Sequence, residues 1–125
     1  ILMTGATGFL GVHLARALLR EKHDLVVLSR SKKSHEARFP FPCEFHEWNA
    51  QQGPPPPAAL KSIDAVIHLA GEPIAGKRWS DEQKKKVIES RVLGTRYLWQ
   101  GIDIEAARGG RLPGVFVSAS AIGFY

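Results

Sequence analysis

Apolar positions recur along this chain with two different periods, and the changes of period mark its elements. Ile1-Leu2-Met3 is a short continuous apolar run, as expected of a strand buried on both faces. Leu10, Leu14, Ala17 and Leu18 then follow at helical spacing, which predicts an amphipathic helix. Leu25-Val26-Val27-Leu28 supplies a second strand and completes a strand–helix–strand unit. Glu44-Phe45-His46-Glu47-Trp48 reads as a third strand, and Asp64 to Gly71, nearly all apolar, as a fourth. Gly53 and Pro54 to Pro57, between them, predict a stiff extended connection. Ser80 with Gln83 forms a capping box, and Asp81 and Glu82 suit the first turn of the helix it opens. In that helix Val87, Arg91, Gly94 and Leu98 share one stripe. Gly94 is expected to let the helix approach the sheet, while Arg91 either snorkels to the surface or reaches a ligand cleft. Val115 to Ser120 is a fifth strand ending in hydroxyls. Strands and helices alternating in this order predict an α/β fold with a doubly wound, mostly parallel sheet.

The turn between the first strand and helix carries the chemistry. Gly5, Gly8 and Gly11 fall in the run Thr4-Gly5-Ala6-Thr7-Gly8-Phe9-Leu10-Gly11, spaced G-x-x-G-x-x-G. Gly5 suits a tight turn, Gly8 a close approach of backbone to a pyrophosphate, and Gly11 close packing of the helix on the sheet. The helix amino end then points N–H groups and positive dipole at the phosphates. A dinucleotide is therefore the expected ligand, with Thr7, Phe9 and Leu10 as further contacts from the same turn. At the end of the fourth strand, Leu69 and the small Ala70 and Gly71 let a flat ring or ribose lie against the backbone.

The end of the second strand bears on which dinucleotide. An NAD site commonly places Asp or Glu there to hold the ribose 2′-hydroxyl, whereas this chain has Ser29 and Arg30. A guanidinium can hold a 2′-phosphate and stack on adenine, so NADP(H) is expected. Lys32 and Lys33, in what reads as a surface loop, either reinforce that phosphate site or are merely solvated.

Composition narrows the partners. The 125 residues amount to one domain or part of one. Starting inside a strand and stopping just after another, they read as the amino-terminal piece of a longer protein, residues 1–125 forming a nucleotide-binding domain without its substrate lobe. Seventeen basic against twelve acidic residues give a net charge of +5. The positive charge is dispersed and lacks a nucleic-acid motif, so an anionic cofactor and solvated helix faces account for it. There is no long apolar span, so no membrane is expected. The single cysteine, Cys43, excludes an internal disulfide and suits a reducing, cytoplasmic setting. The five histidines fit no metal-ligand spacing, and the prolines read as a loop rather than a docking motif.

Several stretches together resemble the extended short-chain dehydrogenase/reductases, and within them the atypical group of sugar-nucleotide-epimerase-like proteins. The resemblance covers the whole chain. The glycine run belongs to the superfamily at large, whereas Ala70-Gly71-Glu72-Pro73-Ile74-Ala75-Gly76-Lys77-Arg78-Trp79 and Ser90-Arg91-Val92-Leu93-Gly94-Thr95 are specific to the subgroup. Leu28-Ser29-Arg30 and Ser118-Ala119-Ser120-Ala121-Ile122-Gly123-Phe124-Tyr125 complete it.

The resemblance implies a Rossmann fold binding NADP(H), acting as an oxidoreductase or epimerase on a hydroxyl or carbonyl of a small molecule, with a sugar nucleotide as one candidate. It implies Ser120 as the catalytic hydroxyl, with Ser118 in reserve, working beside a Tyr-x-x-x-Lys pair. That pair is absent from these residues, and Tyr125 is not assigned to it. Arg91 stands where the family carries a helical Asn. Trp48-Asn49 replaces the acidic residue that often recognises adenine, and Asn49 retains the capacity to hydrogen-bond the ring amine. A homodimer stays open. Two alternatives also stand: a non-catalytic NADP(H)-binding regulator or redox sensor, and a basic partner- or nucleic-acid-binding module.

Overall fold

The computed structural model describes residues 1–70 and 80–119. Its five strands are β1 (Leu2–Thr4), β2 (Val26–Ser29), β3 (Glu44–Glu47), β4 (Ala65–His68) and β5 (Val115–Ser118). They form one sheet in the order β3-β2-β1-β4-β5, and each neighbouring pair is parallel. Three helices accompany them: α1 (Phe9–Arg20), α2 (Lys32–Arg38) and α3 (Asp81–Ala107), with a short 3-10 helix at Pro57–Leu60. The chain moves outward from β1 through β2 to β3, then returns to the other side of β1 for β4 and β5. The strand order therefore reverses between β1 and β4.

Successive strand residues point to opposite faces, and the core divides accordingly. Met3, Ala6, Val27, Ala15 of α1 and Phe39 after α2 pack together. Leu2, Leu28 and Val66 pack with Leu98 and Ile102 of α3 and with Ala59 and Leu60 of the 3-10 helix. Burial on both faces explains why β1, β2 and β4 read as unbroken apolar runs rather than alternating ones.

Local chemistry sets the helix starts. Ser80 Oγ accepts the Gln83 N–H at 3.1 Å, the capping bond expected of that pair. Ser31 Oγ does the same for Ser34 N–H at 3.3 Å and opens α2. Lys32 and Lys33 thus lie in the first turn of a helix instead of the expected loop, and their apolar periodicity gave no sign of it. His35 is buried on that helix, its ring stacked between Phe39 and Phe45 at centroid distances of 5.0 and 4.4 Å.

Two other expectations change. The proline stretch is extended only as far as Pro56 before it turns into the 3-10 helix, and it closes on α3, where a Cβ at Gly101 would stand 2.9 Å from Pro55 Cδ. Gly94 meets the loop after β3 rather than the sheet itself: its nearest neighbour is Ala50 Cβ, 3.2 Å from where a Cβ would be.

Candidate functional site

The carboxyl ends of four strands converge on one cleft of about 300 Å³. Gly5, Ala6, Thr7 and Gly8 enter it from the turn after β1, and Leu28, Ser29 and Arg30 from the end of β2. Trp48, Asn49, Ala50 and Gln51 come from the loop after β3, Leu69 and Ala70 from the end of β4, and Ser90 from α3. The cleft straddles β1 and β4, the point where the strand order reverses, which is where open α/β sheets bind ligands.

The glycines differ in what they do. Gly5 has φ +68°, a left-handed conformation that side chains with a Cβ rarely adopt. A Cβ there would also lie 2.7 Å from the Leu69 carbonyl carbon, so the turn and the end of β4 can touch only through a glycine. At Gly11 a Cβ would meet the Gly5 carbonyl oxygen at 2.3 Å and Ala6 Cα at 2.6 Å. That glycine serves the seating of α1. Gly8 is ordinary by comparison: its φ is −77°, and a Cβ would find only the Gly5 oxygen at 3.5 Å. Nothing among the described residues requires a glycine there. It caps α1 without a side-chain hydrogen bond, and the first turn of α1 carries no acidic residue. The amino end of α1 thus presents backbone N–H groups to the cleft with no side chain among the described residues capping them.

The remaining polar groups are arranged around a single charge. Among the described residues lining the cleft, Arg30 is the only charged one and none is Asp or Glu. Trp48 is buried and belongs to the core as well as the cleft wall, its Nε1–H donating to the Gly53 carbonyl at 2.8 Å. Asn49 Oδ1 accepts the Gln51 N–H at 2.9 Å. Its oxygen keeps a second lone pair and Nδ2 two donors, so Asn49 retains the capacity to meet either a ring amine or a ring nitrogen.

Other expected contacts sit apart from the cleft lining. Gly11 is buried behind the turn. Phe9 and Leu10 open α1 with their side chains 84% and 60% exposed, so only their backbone N–H groups are positioned to matter. Arg91 is exposed, with Nη1 donating to the Val87 carbonyl at 3.4 Å, and it is Ser90, one residue earlier, that lies on the buried face and lines the cleft. Gly71 and Ser120 fall outside the described residues. Ser118 ends β5 in register with His68 at the end of β4. Reading the sequence missed Ala6, Leu28, Ala50, Gln51 and Ser90 as lining residues. Ala6, Leu28, Ala50 and Ser90 each adjoin a residue that was named, Ser90 lying beside Arg91, whereas Gln51 stands two positions from Asn49.

Sheet order, glycine turn and cleft position define a Rossmann-type fold of the kind found in short-chain dehydrogenase/reductases and nucleotide-sugar epimerases. The chain belongs to the NAD dependent epimerase/dehydratase family, whose model matches residues 1–125. It is 35% identical over 125 residues to the "Epimerase family protein YfhF" of Bacillus subtilis, covering all of this chain and 38% of that protein. It is 40% identical over 131 residues to the chloroplastic "Epimerase family protein SDR39U1 homolog" of Arabidopsis thaliana, covering 98% of this chain and 34% of that protein. The chain thus spans a little over a third of the length of these relatives.

Solved structures agree on the fold. UDP-N-acetylglucosamine 4-epimerase from Bacillus cereus superposes with a TM-score of 0.67 at 22% identity, covering 99% of this chain and 36% of that one. The MoeE5 protein, solved with UDP-glucuronic acid and NAD, superposes with a TM-score of 0.63 at 28% identity, covering 96% of this chain and 36% of that one. No helix among the described residues is long and apolar enough to cross a membrane.

Proposed function

We propose that this chain binds NADP(H) in the cleft and forms the nucleotide-binding part of an epimerase-like oxidoreductase, working in a reducing compartment such as the cytoplasm. The observation that carries this reading is the pairing of a glycine turn, open at Gly8, with Arg30 as the only charge among the described lining residues. The backbone N–H groups of Phe9 and Leu10 would hold the pyrophosphate, helped by the α1 dipole, while the Gly8 N–H donates to the Gly5 carbonyl at 3.3 Å and closes the turn. Ser29 and Arg30 would take the 2′-phosphate by charge-assisted bonds, and Asn49 a ring amine or ring nitrogen of adenine. Leu69, Ala70 and Gly71 would form the surface on which the ribose and ring lie, and Ser90 would face the cleft from α3.

When bound, a nicotinamide supplies reversible hydride transfer at a carbon bearing a hydroxyl or carbonyl. This chain's part in that chemistry would be to orient the substrate oxygen through Ser120, the hydroxyl matching the family's catalytic serine. The substrate class follows the family: the MoeE5 protein was solved with UDP-glucuronic acid, and a sugar nucleotide or similar small molecule is proposed here.

The test is a titration with NADPH and with NADH, followed by quenching of Trp48 fluorescence. NADPH is expected to bind more tightly. Arg30→Asp should remove about 1.5–3 kcal/mol of NADPH binding, roughly ten- to a hundredfold, and should narrow or invert the preference over NADH. Equal binding of both nucleotides by wild type and variant would discard the 2′-phosphate assignment.

A further inference from the structure

His68, at the end of β4, is buried and is bonded through both ring nitrogens. Its Nδ1 lies 2.7 Å from Thr4 Oγ1, and its Nε2 lies 3.1 Å from Thr95 Oγ1 on α3. Thr4 Oγ1 also accepts the N–H groups of Leu69 and Ala70, each at 3.1 Å. A hydroxyl has two acceptor lone pairs and one proton. The Leu69 N–H is shared between Oγ1 and the Thr4 carbonyl, the latter at 3.2 Å, while the Ala70 N–H rests on Oγ1 alone; with both lone pairs engaged in this arrangement, Thr4 offers His68 its proton. Nδ1 must then be a bare acceptor, the ring neutral, and Nε2 the site that carries hydrogen and donates to Thr95. Burial acts in the same direction by pushing the imidazole pKa down.

What this chain of bonds holds together is the cleft. Leu69 and Ala70 line it, and they are the backbone against which Gly5 turns with no room for a Cβ. On the other side, Thr95 follows Gly94, which touches Ala50, and Ser90 and Ala50 also line the cleft. The opposite tautomer would require Thr4 Oγ1 to accept from Nδ1, which pushes the Leu69 N–H wholly onto the Thr4 carbonyl or releases the Ala70 N–H.

We propose that His68 is a positioning residue of the nucleotide site, fixed as the Nε2–H tautomer, holding the end of β4 through Thr4 and the α3 wall through Thr95. The inference rests on the dinucleotide reading above and assigns it a second layer of control.

Three measurements test it together: the ¹⁵N–¹H spectrum of the His68 ring, thermal melting, and NADPH titration of wild type, H68L and H68N. Leucine fills the site and accepts nothing. Asparagine places an acceptor near the position of Nδ1. The spectrum is expected to show hydrogen on Nε2 and none on Nδ1. H68L should bind NADPH about tenfold more weakly, the loss of one good hydrogen bond, and H68N should recover most of that loss. A ring protonated on Nδ1 overturns the inference, as does a folded H68L that binds NADPH like wild type. Should H68L not fold, a folded H68N with binding more than about tenfold weaker overturns it. A wild type that binds neither NADPH nor NADH overturns the dinucleotide reading and this inference with it, whereas wild-type binding unaffected by H68L overturns this inference alone.

Discussion

At Gly11 a methyl group would sit 2.3 Å from the Gly5 carbonyl oxygen, while at Gly8 the same group would find that oxygen at 3.5 Å, its nearest neighbour among the described residues. Two glycines of one motif therefore answer to different demands, and substitution separates them. Gly11→Ala must push α1 off the turn and is expected to cost about 1–3 kcal/mol or more, seen as a lower melting temperature. Gly8→Ala should cost no more than about 1 kcal/mol, the difference between glycine and alanine at an N-cap, yet lose most dinucleotide binding because the methyl group occupies the pyrophosphate's approach. A Gly8→Ala variant that melts and binds like wild type would remove the phosphate from that turn. The spacing of the glycines was legible in the sequence; which of them serves the fold and which the ligand was not, because that depends on the Leu69 and Ala6 backbones packed against them.

Helix α3 shows the same division at the scale of an element. Its start is written locally: Ser80→Ala removes the oxygen that accepts the Gln83 N–H and is expected to cost about 1 kcal/mol, measurable as a shift in the urea midpoint. Its buried face is less legible, because positions 90 and 91 fit a 3.6-residue stripe about equally well with Val87, Gly94 and Leu98. Packing chose Ser90, and placed Arg91 on the exposed side. Helix α2 lay beyond any periodic signal, since Lys32–Arg38 has almost no apolar residue. It forms because Ser31 caps it and His35 enters an aromatic stack, and the partner Phe45 belongs to a different strand.

For the molecule as a whole, the two buried imidazoles make stability depend on pH. Burial holds the pKa of His68 below its ordinary value, and that of His35 likewise, against a smaller opposing pull from Glu36. A depressed folded-state pKa means that the unfolded chain takes up the proton first. The stability these groups contribute is therefore complete above about pH 6.5 and declines as the pH falls through that value toward the lower folded-state pKa. The expected slope is at most about 1.4 kcal/mol per pH unit for each proton. Melting temperatures recorded down the acid side should fall accordingly, and less steeply in H68N. A melting temperature that stayed flat between neutral and mildly acid pH would contradict the burial of both rings as neutral groups.

Read alone, the sequence determined the sheet, because unbroken apolar runs separated by a capped helix and a glycine turn have few other ways to bury themselves. It also marked the turn after β1 as a place where three glycines at that spacing leave the backbone open to close approach. Only the tertiary structure decided which side chains close the cleft and how they are held. Thr4, His68 and Thr95 are separated by 64 and 27 residues, and no local pattern records that they meet. The direction of their hydrogen bonds follows from how many lone pairs one buried hydroxyl possesses, a constraint that arises only once parallel strands have brought those atoms within reach.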